Sequence, residues 1–99
     1  MRIYQHRATV IAESGSTSSE SMRIVGGLCR QFAIKANTAT TVFKANLVDS
    51  KNFTILDYGF HTGTLNDYQL YVPMDGAYTI NLTNASADDT FRVYMGVQE

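Results

Sequence analysis

Few side chains in this sequence have a type and spacing that could support acid–base, nucleophilic or metal chemistry. The two histidines, His6 and His61, have no partner at a spacing that would make either one a general base or a metal ligand. The single cysteine, Cys29, can form no disulfide within the chain, and we expect it to be a small residue of the sheet or core. No serine lies in a nucleophile-elbow pattern, so the sequence does not indicate a hydrolytic triad.

Two further motifs have both a chemical and a structural interpretation. Asp88-Asp89, with Asn84 and Ser86, could offer oxygens to calcium, but the stretch lacks the glycine of a calcium loop. A metal-free turn that bonds its own backbone is therefore favoured. Gly26-Gly27 lies in strand-like sequence without the following helix of a phosphate loop, which favours a bulge, a bend or a close backbone approach. We expect no metal, no cofactor and no enzymatic activity.

Composition limits the classes of protein and partner. The 99 residues predict one domain, with 44% hydrophobic and 17% charged residues. A net charge of −1 lacks the basic excess of nucleic-acid-binding proteins, so we expect no nucleic-acid partner. No run of 18 apolar residues is present, and residues 1–7 lack the apolar stretch of a secretory signal. These features predict a protein that is made in the cytoplasm and does not bind membranes.

Alternation of apolar and polar residues predicts an all-β domain. Apolar residues recur with a period of two, turns follow every 8–14 residues, and no stretch of ten shows helical periodicity. This pattern indicates a single antiparallel β-sandwich of about seven strands, with immunoglobulin-like and jelly-roll topologies both open. The predicted strands are residues 2–13, 22–35, 41–48, 53–58, 68–73, 78–83 and 91–97.

The last third of the chain shows the clearest strand pattern. Residues 78–83 and 91–97 alternate cleanly on either side of a polar loop, which predicts a hairpin. One face of this pair is expected to form the centre of the core. Its members are Tyr78, Ile80, Leu82, Phe91, Val93, Met95 and Val97. We also expect Phe53 and Ile55 to point inward from the fourth strand.

The N-terminal segment is expected to be distinct from the rest. Residues 1–21 are predicted to be a strand or arm with a Ser-rich connector, and residues 22–99 to be the β-sandwich domain. Residues 14–21 contain five serines, one threonine and one glycine, a composition typical of flexible connectors. Such a strand could pack on its own domain or reach a neighbouring subunit as an exchanged arm. The sequence leaves both arrangements open.

Five residues are candidates for partner contacts. Arg30 falls among apolar residues and must be paired or lie at a rim, where a salt bridge to a carboxylate is the simpler explanation. The long stretch 59–67 contains exposed-looking aromatic residues that could contact a protein or, together with Tyr58, stack on a sugar. The polar face of the last strand ends in an open tyrosine. The candidates are Arg30, Phe60, His61, Arg92 and Tyr94.

Three stretches of the chain resemble a known group of proteins. Residues 24–49, 61–65 and 75–86 look like small β-sandwich structural proteins of tailed bacteriophage virions, and the resemblance spans about residues 24–98. That group includes capsid decoration (cement) proteins and head- or tail-associated proteins. The resemblance implies a non-enzymatic virion component that binds capsid or tail subunits and forms a homo-oligomer, with a trimer as the first expectation. The alternatives are a tail-associated structural protein and a carbohydrate-binding or host-adhesion module.

Overall fold

The protein is all-β in a computed structural model that describes residues 2–99. One antiparallel sheet of seven strands contains most of the chain, and within the described residues no helix is long and apolar enough to cross a membrane. The strands are β1 (Ile3–Ala12), β2 (Ser18–Ala36), β3 (Val42–Asp49), β4 (Thr54–Thr62), β5 (Thr64–Asp67), β6 (Val72–Thr83) and β7 (Asp89–Gln98). The predicted all-β antiparallel class is confirmed.

The long strand β2 joins the two halves of the sheet. The strand order is β1-β7-β2-β6-β3-β4, and β5 pairs with β2 off this path. The first half of β2 pairs with β6, and its second half pairs with β7 on one side and β5 on the other. Rings from the two halves meet in the core: Phe43 of β3 packs edge-on against Phe91 of β7, with ring centroids 5.0 Å apart. The inner faces of the two halves therefore share one core.

The predicted core is confirmed, but the predicted terminal hairpin is wrong. All seven residues named for the core are buried. However, β2 lies between β6 and β7, so the last two long strands are not neighbours. Alternation along a strand shows which side chains point inward, and it carries no information about which strand lies alongside. The 19-residue β2 adds Ile24, Phe32 and Ile34 to the same core and takes the place next to both strands.

Several predicted boundaries need correction. β2 already begins at Ser18, so the second half of the predicted connector is strand and the proposed boundary at residue 21 falls inside β2. The predicted strand 68–73 is wrong before Val72, because the Asp67 carboxylate accepts a hydrogen bond from the Gln69 amide and turns the chain. The short strand β5, anchored by buried Leu65, lies instead in the stretch predicted to be irregular. Phe53, predicted to be buried, is 66% exposed.

The Gly26-Gly27 pair forms the predicted bulge. The register between β2 and β6 shifts between Ile24 and Gly27, and the Gly26 amide donates to the Asp75 carboxylate at 3.2 Å. A Cβ at Gly27 would lie 2.6 Å from a methyl carbon of Val97, so the close backbone approach is also confirmed. This bulge marks the point where β2 stops pairing with β6 alone and meets β7.

The N-terminal strand is part of the same sheet. β1 pairs with β7 along its whole length, from Ile3 opposite Gln98 to Ala12 opposite Asp89. Val10 and Ala12 are buried in the core, whereas the opposite side chains of β1 are exposed. In this chain, residues 3–12 therefore belong to the same sheet as residues 22–99, which is one of the two arrangements that the sequence left open.

Candidate docking face

The outer surface of one half of the sheet carries most of the features expected of a docking site. Arg7 of β1 lies opposite Tyr94 of β7, and Tyr94 in turn lies opposite Ala33 of β2. One step along the strands, Arg92 lies opposite Lys35. We call this surface the basic face. Its members are Arg7, Thr9, Ala33, Lys35, Thr64, Asn66, Arg92 and Tyr94.

The basic face contains a shallow groove of about 420 Å³ whose lining carries three cations, from Arg7, Lys35 and Arg92, and no carboxylate. Arg7 lies over the ring of Tyr94, with its guanidinium carbon 5.9 Å from the ring centroid, and donates to the Gln5 side chain at 3.1 Å. Exposed cations without a carboxylate beside them keep their full attraction for an anionic partner.

Tyr94 gives the groove a rigid aromatic side chain. Gly96 lies next along the strand on the same side, and a Cβ built there would be 3.4 Å from the Tyr94 hydroxyl. The Tyr94 ring therefore lies over Gly96, and the Arg7 guanidinium lies over the ring. Tyr94 is half-buried as a result. Aromatic rings and arginines that are held in place before binding are typical of interface residues, because they lose little conformational entropy on docking.

Arg30 lies at a second bulge, outside the basic face. The register between β2 and β7 shifts between Cys29 and Gln31, which turns Arg30 out to the surface instead of onto an apolar face. Its Nε donates to the Leu70 carbonyl at 3.1 Å, and Nη1 donates to the Gln98 side chain at 2.7 Å. The expected salt bridge is wrong, because a carbonyl and an amide hold Arg30 in place.

The aromatic residues of β4 do not form one platform. The Tyr58 ring stacks on Phe32 with centroids 5.7 Å apart, and its hydroxyl donates to the Asp67 carboxylate at 3.0 Å. Burial, with Asp67 beside the hydroxyl, raises the pKa of Tyr58 well above its ordinary value. His61 is half-buried on the same side, with its ring centroid 6.2 Å from that of Tyr58.

Phe60 points to the opposite side of β4 from Tyr58 and His61. It is exposed, and the Lys44 ammonium lies 5.3 Å from its ring centroid. The His61 Nδ1 atom is 3.0 Å from the Gly59 carbonyl oxygen, which can only accept, so this nitrogen carries the proton of the neutral ring. Because Phe60 and His61 lie on opposite sides of β4, one partner cannot contact both of them through a common surface of the strand.

The aspartates that could have held calcium bind backbone amides. The Asp88 carboxylate accepts from the Ser14 amide at 2.8 Å, and Asp89 accepts from the Thr38 amide at 3.0 Å and the Thr41 hydroxyl at 2.8 Å. Burial opposes ionisation of Asp89, but the accepted hydrogen bonds outweigh it and lower the pKa of this carboxyl. Within residues 2–99 no three His, Cys, Asp or Glu side chains are grouped to hold a metal.

Cys29 is a core residue, as expected. Its side chain is fully buried, and burial raises the pKa of the thiol to about 11, so the thiol is protonated at neutral pH.

The structure brings two predicted residues, Arg92 and Tyr94, into one surface and leaves Arg30, Phe60 and His61 outside it. Arg7 and Lys35 were missed. Alternation places each of them on the outer side of its strand, but only the register of β1 and β2 against β7 brings them beside Arg92 and Tyr94. Comparison of the chain with protein-family models gives no match, and neither does comparison with curated proteins.

Proposed function

We propose that this chain is a non-enzymatic structural protein of a tailed bacteriophage virion, and that it decorates the assembled capsid. The resemblance over residues 24–98 supports the class of protein. The single observation that supports a docking role is the basic face, where Arg7, Lys35 and Arg92 flank Tyr94 without a carboxylate in the groove. Three of the eight lysines and arginines of a chain whose net charge is −1 line this one groove. The partner is an acidic protein surface, repeated on the shell.

Binding to purified phage particles tests this proposal. The protein is mixed with assembled shells, or with purified tails, and bound protein is measured after sedimentation at low and high salt. We expect binding to shells that weakens as salt rises, because exposed cations supply much of the attraction. Binding to tails alone would make the protein a tail-associated structural protein. Binding to neither particle at low salt would overturn the virion proposal.

A matched pair of charge reversals tests the face itself. The double variant K35E/R92E reverses two adjacent cations of the basic face, and we expect it to weaken shell binding by more than about tenfold. The control R23E/K51E makes the same change of charge at two exposed cations outside the face, so shell binding should stay at the wild-type level. Equal losses in both variants would mean that net charge, and not this face, governs binding.

A second candidate function is carbohydrate binding at a separate cleft. The cleft has a volume of about 280 Å³ and polar side chains that could bind sugar hydroxyls, namely His61, Asn66, Asp67 and Gln69. Tyr68, which is 67% exposed, lines the cleft and offers a free ring for stacking, whereas the Tyr58 ring is covered by Phe32. A glycan array should give a signal that Y68A abolishes and F60A retains. An array without any signal would count against this function.

A further inference from the structure

The strand β1 ends the sheet, and its outer edge is unpaired in the described part of the chain. β7 pairs with it on one side, and within residues 2–99 no strand pairs with the other. Its ten residues contain no Pro or Gly and pair with β7 without a register shift. β4, at the opposite end, pairs with β3 through two register shifts. Because bulges twist an edge away from incoming strands, the β4 edge is protected and the β1 edge is open to pairing.

The backbone groups that face outward from β1 follow from its pairing. The Glu99 amide donates to the Arg2 carbonyl at 2.9 Å, and the register continues with Ile3 opposite Gln98. Bonded and non-bonded pairs alternate along an antiparallel ladder, so even-numbered residues of β1 bond to β7. Odd-numbered residues direct their N–H and C=O groups away from the sheet. These residues are Ile3, Gln5, Arg7, Thr9 and Ile11.

Apolar side chains accompany this open edge. Ile3 is 57% exposed and Ile11 is 77% exposed, one at each end of β1. Val25, which is 79% exposed, lies in the bulge of β2, across a cleft of about 310 Å³ from Tyr4. Exposed apolar side chains beside an unpaired edge are features of a strand that another chain covers.

We propose that a second copy of this chain pairs with β1 through its own β1, antiparallel and about a twofold axis. An antiparallel edge presents the same alternation of donors and acceptors to itself after a twofold rotation, so two copies are self-complementary. The partner strand also carries the same exposed Ile3 and Ile11, which pairing would cover. Registers that place the two Arg7 side chains directly opposite each other are disfavoured by their like charge.

Such a dimer joins two basic faces into one continuous surface. Arg7 lies on β1 itself, so the faces of both copies meet at the paired edges. The assembly is a dimer, where the family resemblance led us to expect a trimer. Dimer formation does not require capsid binding, so either proposal can fail while the other holds.

Amide hydrogen exchange in the intact wild-type protein tests the paired edge directly. At high protein concentration the amides of Gln5, Thr9 and Ile11 should exchange slowly, and on dilution to monomer they should become fast. The amides of Ala8 and Val10 should stay slow in both states because they bond to β7. Light scattering gives the mass. A monomer at all concentrations, a trimer, or a dimer whose odd-numbered amides exchange fast would overturn the proposal.

A pair of substitutions at one position adds a second test. T9P removes an outward N–H without removing a hydrogen bond to β7, whereas T9A keeps that N–H. We expect T9P to raise the dissociation constant of the dimer by more than about tenfold, and T9A to leave it within about twofold. If T9P does not fold, I11K replaces it, since a charge at the edge opposes pairing. A folded variant of either kind that dimerises like the wild type would contradict the proposal.

Discussion

The two outer surfaces of the sheet differ in how they satisfy their polar side chains. On the half built from β6 and β3, Ser19 donates to Asn81 at 2.6 Å, and Asn81 donates to Asn46 at 2.9 Å, so neighbouring strands satisfy one another. We call Ser19, Asn46, Thr79, Asn81 and Thr83 the amide face. On the basic face, the cations of Arg7, Lys35 and Arg92 line a groove without a carboxylate.

This difference separates structural polarity from polarity that is available for binding. Side chains that already bond across strands gain little from a partner, because docking would only exchange one hydrogen bond for another. Exposed cations beside a positioned tyrosine can gain a charge-assisted bond and aromatic packing together. The two faces share one core and one strand, β2. A substitution in the core can therefore affect both faces, whereas a substitution on the surface can affect one face alone.

The largest effect on the fold is expected from the core beneath the two faces. Ile80 lies under the amide face and Val93 under the basic face, and both are fully buried. I80A and V93A should each lower the free energy of unfolding by about 1–4 kcal/mol, because each leaves a cavity in a shared core. Urea denaturation measures both. A loss below about 0.5 kcal/mol for either variant would contradict its central position.

The stability of the fold is expected to be nearly as sensitive to substitution of Gly27, where β2 approaches β7 closely. G27A would place a Cβ 2.6 Å from a Val97 methyl carbon and 2.8 Å from the Gln98 carbonyl oxygen. We expect it to cost about 1–3 kcal/mol of unfolding free energy, as overpacking does. G59A is the matched control, because a Cβ there meets nothing within 4 Å. Equal stabilities for the two variants would show that β2 does not approach β7 so closely.

A smaller effect distinguishes the faces themselves. N81A breaks the bonds to Ser19 and Asn46, so it should cost about 0.5–1.5 kcal/mol of stability and leave shell binding unchanged. Y94A should cost less stability, yet reduce shell binding several-fold, since Tyr94 is the aromatic side chain of the proposed docking face. The two quantities come from thermal unfolding and sedimentation with shells. A loss of binding in N81A that equals the loss in Y94A would show that the two faces do not differ in their contribution to binding.

The smallest expected effect is on the stability of the protein at acidic pH. Hydrogen bonds hold the pKa of Asp89 below its unfolded value, so ionised Asp89 adds stability that is fully present above about pH 4. This contribution is lost as the pH falls through the lowered pKa of the folded state. The melting temperature of D89N should therefore fall less steeply below pH 4 than that of the wild type. A D89N curve that coincides with the wild-type curve would contradict the stabilising role of these hydrogen bonds.

The sequence predicts well which side chains point into the core, and it predicts poorly which strands lie next to each other in the sheet. The burial of Ile80 and Val93 follows from the alternation of apolar and polar residues, and the Gly26-Gly27 pair predicts the bulge. Both features depend on local sequence alone. The partner of each strand depends on contacts between distant parts of the chain, so the position of β2 between β6 and β7 could not be derived. For the same reason Arg92 was identified as a candidate without Lys35, which lies directly opposite it.

The lysines offer the most direct measurement of which face docks. The chain has three: Lys35 on the basic face, Lys44 beside the amide face and Lys51 in the turn after β3. Their rates of acylation can be compared by mass spectrometry in the free protein and in the protein bound to assembled shells. We predict that binding protects Lys35 and leaves Lys44 and Lys51 reactive. Protection of Lys44 with Lys35 still reactive would contradict it.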